Sequence, residues 1–246
     1  MTKVISPASS YGNLNSMTVK KKPITSGRVR PATFAPYMPA GVISIGDLEQ
    51  LVEQMKESGA EKVKFGGEMI FVWKGHERPH DPAPGYQSNN FKAPLVRPVR
   101  LCSAEVFCQR FKQPVLELAR TIDERFRGTP LPVKLHIGIA GCPRSCSEPA
   151  VKDIGIIGHN QGYEILLGGS AGLGPVLAQS VGLAKDQKTV LAVIEKIIAY
   201  MQYGGKKMRL GRLIARIGKE RFLEESGVAA LLQPWDASTG ERSEQE

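Results

Sequence analysis

Cysteine is scarce in this chain, and what there is lies close together. Among 246 residues only four cysteines occur, all between positions 102 and 146. Disulfide-stapled secreted domains spread their cysteines and are usually smaller, so a disulfide framework is not expected; a reducing, cytoplasmic setting is. No stretch approaches the ~20 apolar residues that a membrane helix requires, so no membrane span is expected. No charged region leading into an apolar one opens the chain, so no secretory leader is expected either. Acidic residues are absent from positions 1–46. Neither a dinucleotide-binding glycine fingerprint nor a flavin motif is found. Gly168-Gly169-Ser170-Ala171-Gly172-Leu173-Gly174 is glycine-rich but lacks the Gly-Lys-Ser/Thr ending of a P-loop, and reads as a loop passing close to a cofactor or to backbone.

What is present is a basic, ordinarily apolar chain. Lys and Arg outnumber Asp and Glu by 33 to 24, for a formal charge of +9. The excess sits in the body and in the acid-free N-terminus, with Lys3, Lys20, Lys21, Lys22, Arg28 and Arg30, while the last residues carry Asp236, Glu241, Glu244 and Glu246 against Arg242. A basic body calls for an anionic partner or ligand. No aromatic or basic recognition motif accompanies Lys20–Lys22, so nucleic acid is not that partner.

Residues 1–35 read as a flexible basic arm, rich in Ser, Thr, Gly, Pro and Lys. Order is expected from about Pro39. Ser44 and Asp47 form a capping box, and Leu48, Leu51, Val52 and Met55 then recur at helical spacing until Gly59. Lys62–Phe65 and Met69–Trp73 read as strands, and residues 74–95 as a connecting loop. Beyond it come a short strand near Val99–Leu101, a helix over Pro114–Arg127 and a strand over Val133–Ala140. A strand pair follows over Asp153–His159 and Gly162–Leu167, and helices over Lys188–Gln202 and Met208–Gly218, with a short one after them. Val190, Val193, Ile194, Ile197, Ile198 and Met201 recur as the core face of a helix.

Cys102 and Cys108 are separated by five residues, Cys142 and Cys146 by three, and each pair follows a predicted strand. Structural zinc sites space their ligands two to four residues apart, which disfavours zinc at the first pair. A thioredoxin-like pair needs C-x-x-C, which is absent. Four thiolates in two pairs suit an iron–sulfur cubane. Spacing alone leaves zinc and incidental buried cysteines open as alternatives.

The arrangement C-x5-C followed some thirty residues later by G-C-P-x-x-C resembles the sirohaem-dependent sulfite and nitrite reductases. Further residues carry the likeness: Arg97-Pro98-Val99 ahead of the first cysteine, the run Leu131-Pro132-Val133-Lys134-Leu135-His136-Ile137-Gly138-Ile139-Ala140-Gly141-Cys142-Pro143, then Asp153-Ile154-Gly155 and Gly168-Gly169. The match runs over roughly residues 36–225. It implies an α+β chain: a ferredoxin-like half-domain with its connecting loop over 36–95, then a mixed α/β nitrite/sulfite reductase 4Fe-4S domain over 96–233. An acidic tail closes the chain at 234–246.

The resemblance also implies roles. Cys102, Cys108 and Cys142 would anchor a 4Fe-4S cluster, and Cys146 would both ligate it and bridge to the iron of sirohaem. Arg97, Arg100, Lys134 and Arg144 would meet the carboxylates of that polyanion. Lys134 and His136, two apart on a strand, would face the substrate, with Leu135, Ile137 and Ile139 on the opposite side; His136 would donate a proton near neutral pH. The reaction implied is multi-electron reduction of a small oxyanion, sulfite to sulfide, with nitrite to ammonia as the alternative. Electrons would come from an external acidic, ferredoxin-like donor. Two positions depart from the family pattern: His136 stands where a second lysine is expected, and Glu68 or Met69 where the half-domain offers an arginine. These departures motivate a second reading, an electron-transfer or sirohaem-carrying protein without a substrate site. The larger enzymes hold two copies of the unit found once here, which points to a homodimer.

Overall fold

The computed structural model describes residues 33–34, 38–66, 70–73, 94–203 and 207–235. Most of the expected arm, Glu68 and Met69, residues 74–93 and the tail from 236 lie outside the described residues.

The N-terminal part is a small antiparallel sheet with one helix. Ser44 accepts a hydrogen bond from the Asp47 amide at 3.0 Å, the N-cap half of a capping box, and donates its hydroxyl to the Asp47 carboxylate at 2.7 Å, at the start of helix α1 (Ile45–Glu57). Gly59, at φ +76°, ends it. Strands β1 (Thr33–Phe34), β2 (Lys62–Phe65) and β3 (Ile70–Trp73) lie in the order β1-β3-β2. Thr33 and Phe34, within the span expected to be arm, thus pair with β3 opposite Phe71 and Ile70. Leu51 and Met55 bury against Ile70, while Val52, expected on the same face, is exposed.

The second part is built on a five-stranded mixed sheet ordered β4-β5-β6-β7-β8, comprising Arg100–Leu101, Ile137–Ala140, Ile154–His159, Gly162–Leu167 and Gln179–Ala184. The first three strands run parallel and the last two return antiparallel. Val133–Ala140 is regular strand only from Ile137; before it, Leu135 makes a single parallel bridge to Val96. Strand β8 was not anticipated. Its burial rises along its length instead of alternating, and Gly182 at φ +140° interrupts the pattern, so no period-2 signal exists to find. His159 is the last residue of β6, as expected, and is buried.

Helices α2 (Ala104–Phe107), α3 (Leu116–Phe126), α4 (Gln187–Tyr203), α5 (Leu210–Ile217) and α6 (Lys219–Glu225) complete the unit. Leu118, Ala119 and Ile122 of α3 and Val190, Val193, Ile194 and Ile197 of α4 join Ile137, Ile139, Ile154, Ile156, Ile165 and Leu167 in one core. Each such side chain contributes roughly 1.5–3 kcal/mol when fully buried. Asp123 of α3, also buried, accepts the amides of Ala40 and Val99, each at 2.8 Å. One carboxylate therefore ties the turn before α1 to the entry of β4, and so joins the two parts. No described helix is long and apolar enough to cross a membrane.

Candidate functional site

Both cysteine pairs sit at the carboxyl ends of adjacent parallel strands. Arg100 and Leu101 of β4 pair with Gly138 and Ile139 of β5, and the Cys102 amide extends the ladder by donating to Ile139 O at 3.2 Å. The same carbonyl accepts the Ser147 hydroxyl at 2.5 Å, so the residue after Cys146 is drawn back to β5, at the carbonyl that the Cys102 amide also uses. Cys102, Cys108 and Cys142 are half-buried, Cys146 is exposed, and all four are free thiols.

The loop around the first pair is shaped to meet a sulfur anion. Ser103 is right-handed helical and Ala104 is left-handed at φ 55°. Such a succession turns consecutive N–H groups into one concavity, a conformation found at anion and iron–sulfur sites. The Ala104 amide donates to Cys102 Sγ at 3.4 Å, and the Gly141 amide reaches the same sulfur at 3.3 Å. Glu105 accepts the amides of Val115 at 2.8 Å and of Leu116 at 3.2 Å, so its charge sits on the free N–H groups that open α3. The Cys108 amide closes α2 by donating to Ala104 O at 3.0 Å. In the second loop, the Ser145 amide donates to Cys142 O at 3.1 Å and the Glu148 amide to Ser145 O at 2.8 Å, with both Ser145 and Glu148 left-handed. Three of the four non-glycine left-handed residues among those described thus belong to the cysteine loops. Backbone in this sparsely populated region concentrates at functional sites.

The peptide of Gly141 joins the two loops. Its N–H goes to Cys102 Sγ, while its carbonyl accepts the amides of Lys112 at 2.7 Å and Gln113 at 3.1 Å, just beyond Cys108. Glycine is needed opposite: a Cβ on Gly158 of β6 would lie 2.6 Å from Gly141 O. Among the described residues no three His, Cys, Asp or Glu side chains converge on a single-ion site. A cubane takes one thiolate at each of its four irons, so its ligands need not converge on one point. Free thiols on two facing loops, with amides aimed at one sulfur, fit such a group.

A cluster of cationic residues acts on His136, at the entry to β5. His136 is held down at about 4 by burial first and then by Arg209, Lys134, Arg97 and Lys152. It is therefore neutral at neutral pH, because partial burial among four cations disfavours a fifth charge. Lys134 is exposed and His136 half-buried, while Leu135, Ile137 and Ile139 are fully buried, as the two-residue period requires. Arg97 is buried to 2 % exposure; Arg100 and Arg144 are exposed. Arg209 and Lys152 were missed. Arg209 stands at the N-terminus of α5, 56 residues from its partner Asp153, and carries no local signal; Lys152 adjoins the Asp153-Ile154-Gly155 motif and was within reach. Asp153 accepts Arg209 Nε at 2.9 Å and Nη2 at 2.6 Å, and also the His136 amide at 2.8 Å. Burial pushes its carboxyl up, against the pull of Arg209.

A second buried polar pair lies at the far end of β6. His159 Nε2 is 3.0 Å from Glu164 Oε2, and Trp235 packs on the imidazole with centroids 4.8 Å apart. Burial raises the Glu164 carboxyl, but the hydrogen bond from His159 and the neighbouring Ser180 and Trp235 outweigh it, leaving the group below its ordinary range.

The family profile described as "Nitrite and sulphite reductase 4Fe-4S domain" matches residues 92–230. The chain is 27% identical over 183 residues to a Bacillus subtilis protein named nitrite reductase (NAD(P)H), covering 70% of this chain and 21% of that protein. It is 28% identical over 142 residues to the assimilatory-type sulfite reductase of Nitratidesulfovibrio vulgaris, covering 56% of this chain and 60% of that one. The chain thus spans about a fifth of the first relative's length and three-fifths of the second's. Among solved structures, dissimilatory sulfite reductase I superposes with a TM-score of 0.62 at 13% identity, covering 80% of this chain and 68% of that one. The NirA protein of Mycobacterium tuberculosis superposes at 0.54 with 19% identity, covering 77% and 38%. These superpositions establish the mixed α+β fold.

Proposed function

This chain belongs to the nitrite and sulphite reductase 4Fe-4S domain family, whose cofactors are a 4Fe-4S cluster and sirohaem, and from that premise we propose that it is an oxidoreductase acting on a small oxyanion. Cys102, Cys108, Cys142 and Cys146 would hold the cluster, and Cys146, the exposed thiol, would be the one available to sirohaem. Sulfite is the first candidate substrate and nitrite the second. When bound, the two cofactors supply the multi-electron chemistry that no side chain can perform.

The chain's own residues bind and orient. Arg97, Lys134, Lys152 and Arg209 act on His136 and give this site a field that concentrates a small anion or the carboxylates of the macrocycle. Asp153 fixes Arg209 at two points and holds the His136 backbone, so both side chains are set before an anion enters. Neutral His136 donates one ring N–H to a bound oxygen, while Lys134 presents an ammonium from the exposed side. Exposed Arg100 and Arg144, at the mouths of the two loops, serve the outer carboxylates of the macrocycle. An external acidic, ferredoxin-like carrier donates the electrons.

The observation that carries this reading is the Gly141 amide on Cys102 Sγ, because it brings one cysteine of the first pair against the loop of the second. The test is anaerobic reconstitution with iron, sulfide and sirohaem, followed by absorption spectra, iron and acid-labile sulfide counts, and oxidation of reduced methyl viologen by sulfite and by nitrite. Turnover with either anion supports the enzyme; a colourless chain with one zinc overturns the cluster. A second reading, a non-catalytic electron-transfer or sirohaem-carrying protein, is motivated by His136 standing where the family pattern has a lysine. Full cofactor loading with no anion-dependent oxidation selects it.

A further inference from the structure

The segment that leaves Cys108 is held at three places. The backbone amides of Lys112 and Gln113 donate to Gly141 O. The Gln113 side-chain amide donates to His159 O at 2.8 Å and to Asn160 O at 3.4 Å, at the turn between β6 and β7. Pro114 O accepts Tyr163 Oη at 2.9 Å and Gln187 Nε2 at 3.1 Å. Gly158, next to His159, packs against the same Gly141 carbonyl, and its missing Cβ would also stand 2.9 Å from Gln113 Cβ. Gln113 therefore closes a triangle between the segment after Cys108, the peptide before Cys142 and the end of β6.

We infer that Gln113 is a positioning residue for the iron–sulfur cluster: its amide sets the distance between the two cysteine pairs by pinning the Cys108 segment to the β6–β7 turn. The inference rests on the cluster reading above. Its physical basis is that ligands keep their geometry only when outer contacts fix the backbone that carries them. The amide needs to be a donor, because both of its partners are backbone carbonyls with nothing to donate. Leucine would fill similar space and make neither bond. Glutamate would set an anion against two carbonyl oxygens, and would recover one donor only on protonation.

The test compares the reconstituted wild-type chain with Gln113→Leu and Gln113→Glu, all loaded anaerobically with iron and sulfide alone. Rates of iron loss to a chelator, the midpoint potential and the paramagnetic spectrum of the reduced cluster are read alongside the unfolding midpoint of the metal-free chains. Gln113→Leu is expected to lose iron about tenfold faster and to shift both potential and spectrum. Gln113→Glu should behave like Gln113→Leu at about pH 8 and move towards wild type, compared at the same pH, at about pH 5, because a carboxyl set against two carbonyl oxygens holds its proton above the ~4.3 of free glutamate. Wild-type iron loss and potential in Gln113→Leu overturn the inference, as does a Gln113→Glu chain indifferent to pH. Should Gln113→Leu not fold, the pH response of Gln113→Glu decides alone. A wild-type chain that takes up neither iron nor sulfide overturns the cluster reading itself, a failure visible before any variant is made.

Discussion

Asp153 and Arg209 meet at two points, with Nε to Oδ1 at 2.9 Å and Nη2 to Oδ2 at 2.6 Å, across 56 residues of chain. The aspartate side chain is 1% exposed and the arginine 32%, so the pair stands half inside the protein. It fastens the first turn of α5 to the start of β6, and through the His136 amide to the approach of β5. Asp153→Asn keeps a hydrogen-bond acceptor but removes the charge. It is expected to cost about 3 kcal/mol, the low end for breaking a buried pair because Arg209 keeps access to water. Urea unfolding of the metal-free chain measures it, and Arg209→Lys should lose less, since the charge survives without the fork.

Acid should weaken the fold through His136. Its folded-state value of about 4 lies below the 6.5 of an unfolded chain. Between those values the unfolded state binds the extra proton, so stability falls as pH drops from about 6.5 to about 4 and then levels. His136→Gln should flatten that limb of a stability–pH curve. An unchanged slope in the variant would assign the effect elsewhere.

Gly158→Ala should be costly for a reason that lies in another strand. The new Cβ would stand 2.6 Å from Gly141 O and 2.9 Å from Gly141 C, and backbone cannot move aside as a flexible side chain can. A loss of about 2 kcal/mol is expected, together with lower iron uptake because Cys142 is displaced. Gly46→Ala in α1, where nothing lies within 4 Å, is the control and should be neutral or stabilising by about 0.5–1 kcal/mol.

Removing the carboxylate between the first two cysteines should loosen both that loop and α3. Glu105→Ala strips the acceptor from the Val115 and Leu116 amides, and a lost cap of this kind costs about 1 kcal/mol. Thermal unfolding checks the stability. Faster hydrogen exchange confined to residues 102–116 would show that the effect is local.

Much of this was legible in the residue pattern. The six positions of α4 expected in the core, Val190, Val193, Ile194, Ile197, Ile198 and Met201, are all buried, because a 3.6-residue period over 17 residues leaves little choice of face. The four cysteines fall on two neighbouring loops, as their positions after predicted strands required. Other features had no local signature. Arg209 reaches Asp153 only after α4 has folded back over the sheet. His159 reads as the end of a strand, but only strand pairing shows that it meets Glu164. The number of cations acting on His136 was equally hidden, because Arg97, Lys152 and Arg209 reach it from elsewhere in the fold.

The Gly141 peptide has one further consequence. Both of its polar groups are committed to residues that precede it by about thirty or more positions, and the strand behind it admits no side chain at Gly158. The two cysteine segments are therefore not separable parts. A graft onto another scaffold would have to carry residues 100–116, 137–148 and 158–160 as one piece, and neither cysteine loop could change length without the other.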